Sequence, residues 1–191
     1  MAEKVFDLLT YEKSNRIAWI TIHNEARMNA LSTGVMNGLY DAFEEVDHDD
    51  EVLVAVLTGA GGRAFCAGAD LRQLTERDQA GGVGSQANIK NGLERPTRTL
   101  KPIIAAVDGY ALAGGMQLSA RCDFRIATAK STFGMPEPLR SLVPINLMDT
   151  MEIGFVPLGN ALWIILSGEH FSAEQDRASL IGLGRRLNVG I

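Results

Sequence analysis

Val107-Asp108-Gly109-Tyr110-Ala111-Leu112-Ala113-Gly114-Gly115-Met116-Gln117 is the stretch on which the fold turns. The apolar run at 103–107 predicts a strand that reaches a turn at Asp108-Gly109, after which small residues open a helix. A helix start carries N–H groups without intrahelical partners, and glycines let a ligand atom approach them closely. The same pattern also suits a strand–turn–helix packed tightly through its glycines. The rest of the chain decides between the two.

Working outward, Lys101-Pro102 leads into that strand, and residues 86–99 predict a helix broken or kinked near Pro96. A glycine-rich loop is expected at 79–85. Residues 52–57 form a short, continuous apolar strand of the buried type. Nearer the N-terminus, 5–12 and 16–22 are β-prone runs joined by Lys13-Ser14-Asn15, a hairpin pattern. Residues 23–31 follow as a loop. Ser32 is a good N-cap, and Val35, Leu39, Ala42, Phe43 and Val46 recur at helical spacing behind it. Downstream, 124–128 predict a strand and 131–137 a strand edge and turn. A helix is expected from near Pro157 through the apolar residues 161–166, and Ser172-Ala173-Glu174-Gln175 fits a capping box opening a last helix. Alternating strands and helices give an α/β protein, organised as a core domain over 1–175 and a divergent tail over 176–191.

Composition narrows the function classes. The 191 residues are 46% hydrophobic and 21% charged, as in an ordinary globular domain. A net charge of −5 argues against general nucleic-acid or anionic-membrane binding, which wants a basic face. The apolar run at 161–166 is too short to span a bilayer, and Met1-Ala2-Glu3-Lys4 lacks the apolar core of a signal peptide. Cys66 and Cys122, far apart, fit reduced thiols in a cytoplasmic protein. His23, His48 and His170 show no metal-ligand spacing, so no metal is implied.

Among motifs, Gly59-Ala60-Gly61-Gly62-Arg63-Ala64 loosely matches the dinucleotide-binding fingerprint, with Glu76 and Asp78 near the acidic position. That fingerprint should open a long helix, and Gly68 interrupts it. No Gly-x-Ser-x-Gly elbow and no phosphate-loop lysine is present. Two small-residue turns remain, Cys66-Ala67-Gly68-Ala69-Asp70 and Ala113-Gly114-Gly115-Met116-Gln117. Each follows a strand and can aim a backbone N–H at a common point. Two such donors make an oxyanion hole for charge developing on a carbonyl oxygen.

Three segments taken in order, Arg27-Met28-Asn29-Ala30-Leu31-Ser32, Phe65-Cys66-Ala67-Gly68-Ala69-Asp70-Leu71 and the run from Lys101-Pro102 to Gly114-Gly115, resemble the crotonase family of enoyl-CoA hydratases and isomerases. The likeness runs from about Val5 to Gln175. It implies a spiral of repeated ββα units, assembly as a homo-oligomer (trimer or hexamer), and acyl-CoA thioester substrates with no cofactor beyond their CoA moiety. By this resemblance the oxyanion donors are the N–H groups of Ala69 and Gly114. Ala67, Gly68, Asp70 and Leu71, with Arg27 and Ala30, would line the CoA path.

The family's hydratases also carry two glutamates. The resemblance puts one at Gln117 here and the other at Glu137. A glutamine can orient a water or substrate but cannot accept a proton. Hydration divides its proton work between two carboxylates, whereas moving a proton from one carbon to another needs only one. That is the isomerase pattern. Three further departures stand out. Pro144-Ile145-Asn146-Leu147-Met148 puts bulk where the hydratases have a glycine-rich turn. Pro138 and Arg140 beside Glu137 are expected to reorient it, or to pair Arg140 with it and lower its pKa. The sequence ends at Ile191 without the family's further C-terminal helices, so the expected fold is the spiral core alone.

Overall fold

The computed structural model describes residues 2–79, 89–143 and 157–174. Among the described residues, ten strands form two sheets. The larger takes β1 (Ala2–Phe6), β2 (Leu9–Ser14), β3 (Ile17–Ile22), β4 (Val54–Gly59), β6 (Ile103–Val107) and β8 (Phe124–Ala127), side by side in that order. The smaller runs β10 (His170–Ser172), β9 (Thr132–Gly134), β7 (Tyr110–Leu112), β5 (Ala64–Cys66). β3, β4, β6 and β8 are parallel neighbours, as are β5, β7 and β9, while β10 closes the small sheet antiparallel to β9.

The chain therefore spirals. Each turn lays one strand in the large sheet and the next in the small sheet, then passes into a helical segment. β4 and β5 lead to α2 (Leu71–Gln79), β6 and β7 to α3 (Gly114–Ala120), and β8 and β9 to a 3₁₀ turn at Glu137–Arg140. The expected α/β spiral of ββα units is present. α1 (Thr33–His48) covers the start of the large sheet through Val35, Leu39, Ala42, Phe43 and Val46, all buried. Ser32 Oγ accepts the Val35 N–H at 3.3 Å, the N-cap expected from sequence. α4 (Leu158–Ser167) begins after Pro157 and buries Ala161 and Ile164. Phe133 of β9 stacks on Phe171 of β10 at 5.9 Å, joining the small sheet to the core.

Several boundaries differ from expectation. The run at 5–12 is two strands, because Leu8 takes a left-handed φ of 54° and turns β1 back on β2. The β2–β3 hairpin turns at Asn15 and Arg16, both left-handed, as a two-residue hairpin loop requires. The α-helix expected over 86–99 does not form in its described part, where a 3₁₀ turn at Arg95–Arg98 is the regular element. Pro96 disfavours α conformation at Arg95, and the segment is strapped to α1 instead. Lys90 N–H donates to Asn37 Oδ1 at 2.9 Å, and buried Arg95 pairs with Glu44 and with Asp47, the latter at 3.0 Å. The stretch 59–64 leads into β5 and not into a helix, so the dinucleotide-fingerprint geometry is not built. Ser172 ends β10, and only Ala173 and Glu174 of the helix expected there are described. Residues 80–85, the bulky Pro144–Met148 segment and the tail from 175 lie outside the described residues.

Candidate active site

Three parallel strands of the small sheet end side by side, and each hands over one piece of the site. β5 pairs with β7 through Cys66 and Ala111, and β7 pairs with β9 through Leu112 and Gly134. Past those ends come Ala67–Asp70, Ala113–Gln117 and Met135–Glu137. Ala113 N–H donates to Gly134 O at 2.9 Å, tying the second piece to the third.

The first two pieces are in van der Waals contact. A Cβ placed on Gly68, whose φ is +94°, would stand 2.7 Å from Ala113 Cβ and 3.2 Å from Gly114 N. A Cβ on Gly114 would stand 3.9 Å from Ala69 N. The backbone can come this close only where side chains are missing. Ala113, the N-cap of α3, sits at φ 51°, ψ −124°, a conformation that costs an alanine roughly 1–3 kcal/mol and is common at functional turns. Among the described residues, neither the Ala69 N–H nor the Gly114 N–H has a hydrogen-bond partner. Two adjacent free donors are what the two glycine turns leave. Such a pair can hold a carbonyl oxygen as it gains negative charge.

Around them, Leu31 and Ala69 form an isolated parallel bridge, with Leu31 N–H donating to Gly68 O at 2.7 Å. Arg27 Nη1 donates to Asp70 Oδ1 at 3.2 Å, and that same oxygen caps α2 by accepting the Arg72 N–H at 3.1 Å. Asp70 is therefore buried and engaged within the protein, while 41% of the Arg27 side chain is exposed to a ligand's reach. Ala67 N–H donates to Met28 O, Ala30 is buried, and Leu71 stands exposed at the start of α2.

Gln117 lies in the first turn of α3, 4% exposed, with its own N–H on Ala113 O. Glu137 opens the 3₁₀ turn after β9. Among the described residues its buried Oε2 has no partner, and burial raises its pKa from the usual 4.5. This corrects the expectation that Arg140 would pair with Glu137 and lower its pKa. Arg140 is exposed, while the carboxylate turns inward. Burial pushes the thiols of Cys66 and Cys122 up to about 12, which leaves them inert as nucleophiles. Among the described residues, no group of three or more His, Cys, Asp or Glu side chains is placed to hold a metal ion. No helix among them is long and apolar enough to cross a membrane. Asn29, which sequence reading does not single out, proves to be the buried centre of the loop beside Ala69. Its signal was its place within the first of the three matching segments.

The sequence profile of the family described as Enoyl-CoA hydratase/isomerase matches residues 12–184. The short-chain-enoyl-CoA hydratase of Clostridium acetobutylicum is 34% identical over 173 residues, covering 90% of this chain and 65% of that protein. The (E)-benzylidenesuccinyl-CoA hydratase of Thauera aromatica is 32% identical over 170 residues, covering 87% of this chain and 65% of that protein. In structure, an enoyl-CoA hydratase/carnithine racemase from Magnetospirillum magneticum superposes with a TM-score of 0.81 at 29% identity, covering 92% of this chain and 66% of that one. The chain thus spans just under two thirds of the length of these relatives. The spiral of ββα turns, the paired glycine turns and these likenesses agree, and the chain belongs to the enoyl-CoA hydratase/isomerase family, the crotonase fold family.

Proposed function

We propose that this protein acts on acyl-CoA thioesters and shifts the double bond of an enoyl-CoA, with Glu137 as its single base. The observation that carries the reading is the pairing of an inward-turned Glu137 carboxylate, its pKa raised by burial, with an amide at position 117. In a 3-enoyl-CoA, the Glu137 carboxylate removes a proton from the carbon next to the thioester carbonyl. The electrons pass to the thioester oxygen, held by the Ala69 and Gly114 N–H groups. Protonated Glu137 returns its proton at the far end of the conjugated enolate, and the double bond rests at carbon 2. One carboxylate closes the cycle. Gln117 hydrogen-bonds and orients the substrate without proton exchange. Arg27, Ala67, Gly68 and Leu71 line the path for CoA, with buried Asp70 and Ala30 holding them from behind, and no cofactor beyond that moiety is needed.

The test is conversion of a 3-enoyl-CoA to its 2-enoyl isomer, followed by product chromatography. Soluble, CoA-binding protein that gives no conversion would refute isomerisation. Hydration is the second reading, favoured by the hydratase names of the relatives. Gln117→Glu separates the two. A hydration rate that rises by several decades shows that the unsubstituted protein is not a working hydratase, since one acid–base group is worth roughly 10²–10⁴ in rate. A third reading, an acyl-CoA-binding protein without turnover, predicts thermal stabilisation by acyl-CoA and no product.

Assembly as a homo-oligomer, trimer or hexamer, belongs to the same proposal. Its support in this chain is α4, whose Leu158, Leu162 and Leu166 are exposed in one row. The exposed Trp163 stands next to that row.

A further inference from the structure

The loop between β3 and α1 contributes no proton-transferring group, yet it meets the Ala69 turn through two backbone bonds. Ala67 N–H donates to Met28 O at 3.0 Å, and Leu31 N–H donates to Gly68 O at 2.7 Å. The second bond is decisive, because Gly68 C=O and Ala69 N–H belong to one planar trans peptide. Holding the carbonyl toward Leu31 aims the N–H the opposite way. The direction of this oxyanion donor is thus set from the loop.

Asn29 sets the loop. It is 1% exposed, and both it and Met28 take left-handed φ values of 55°. Its Oδ1 accepts the Asn24 N–H at 2.9 Å, closing the loop on itself. Its Nδ2 donates to Ala60 O at 3.0 Å and Ala64 O at 2.7 Å, pinning the loop to the β4–β5 connection. Asparagine is suited to this place because it tolerates the left-handed region and offers two donors and an acceptor on a short stem. Aspartate would set a carboxylate oxygen against two carbonyl oxygens.

We propose that Asn29 is a positioning residue for the Ala69 donor, acting through Met28 and Leu31 on the Ala67–Ala69 turn. The inference rests on the oxyanion role assigned above to Ala69.

The experiment uses Asn29→Gly in the full chain, which keeps the left-handed backbone and removes the three side-chain bonds. Three readings are taken, the third being turnover. Hydrogen exchange without ligand reports the Leu31 and Ala67 amides. Calorimetry compares butyryl-CoA with S-butyl-CoA, a thioether lacking the carbonyl. The unsubstituted protein prefers the thioester by about 2- to 10-fold, the weight of a hydrogen bond to its oxygen. In Asn29→Gly that preference disappears, affinity for the thioether stays within about twofold, and both amides exchange at least about tenfold faster. In turnover, kcat falls by about tenfold or more with little change in KM, as expected of a misaimed oxyanion donor. Unchanged exchange and unchanged preference in a folded variant overturn the proposal. Equal weakening of both ligands also overturns it, because that marks a purely structural anchor. If the unsubstituted protein itself shows no thioester preference, the functional reading fails, and the exchange result alone decides whether Asn29 holds this peptide. Should Asn29→Gly not fold, Asn29→Ser, which keeps one donor and one acceptor, carries the same comparison.

Discussion

Position 137 combines two physical demands on one side chain. Burial disfavours its ionised form, so the folded protein binds that proton more tightly than the unfolded chain does. The sign follows directly. The stability associated with this group is fully present below its unfolded pKa and is lost as pH rises through the raised folded value. Glu137→Gln removes the ionisable group, so the variant should melt higher than the parent at pH 8, and the gap should close near pH 4. Its turnover should fall by roughly 10²–10⁴-fold, measured on the same preparations. The acid limb of kcat in the parent should lie above the ordinary carboxylate value, because the base form is lost as pH falls through the raised pKa. A variant that melts lower at pH 8 than the parent would show that the carboxylate is stabilising and not strained by burial. The interest of Gln117 and Glu137 comes from the resemblance to the family's hydratases and not from local pattern. The orientation of Glu137 was not legible in the sequence, since nothing local shows that its carboxylate turns inward while Arg140, three residues on, faces water.

Among the elements, the two long apolar signals were read most closely. β6 spans the expected residues, and α1 begins at its expected cap, because a continuous apolar run and a capped periodic stripe each determine structure locally. β9 falls within the strand edge expected at 131–137, whereas the three-residue strands β5, β7 and β10 have no such signal, since each is too short to show a period and exists through partners remote in sequence. α2 was missed as well. Its start depends on Asp70, which also holds Arg27, so the cap is a tertiary feature. Over its described part, 89–99, the helix expected at 86–99 does not form, for the same kind of reason, with ion pairs to α1 outweighing local preference. Packing between β5 and α3 gives the sharpest element-scale prediction. A Cβ on Gly115 would fall 1.9 Å from Cys66 O, inside any possible contact. Gly115→Ala must push α3 off β5, at a cost of about 1–3 kcal/mol or more. The expected outcome is a lower urea midpoint together with weakened discrimination of thioester over thioether, because the same shift separates Gly114 from Ala69. A variant with parental midpoint and parental discrimination would contradict the close packing described.

For the molecule as a whole, the spiral explains why distant sequence positions meet. Residues near 31, 69 and 114 come together, and Gly134 joins them through Ala113, because successive turns stack in register, each offset by one strand in both sheets. Motif order along the chain was therefore a direct guide to the site, although no sequence period announced the repeat. The exposed leucines of α4 carry the molecular-scale prediction. If copies associate through that row, the melting temperature rises with protein concentration, as mass action requires. Leu162→Lys should flatten that dependence and shift the sedimentation coefficient toward a single chain. A melting temperature independent of concentration over two decades would refute association through α4.

The two glycine turns have one more consequence. The donors assigned to them are peptide groups, which every substitution except one to proline leaves in place, whereas the groups at 117 and 137 are side chains that one codon can exchange. On the proposed reading, recognition of a thioester oxygen and choice of reaction are therefore written in different parts of the chain's chemistry. On that reading the scaffold keeps its grip on one functional group while its proton inventory is edited, and the amide at 117 is proposed as such an edit.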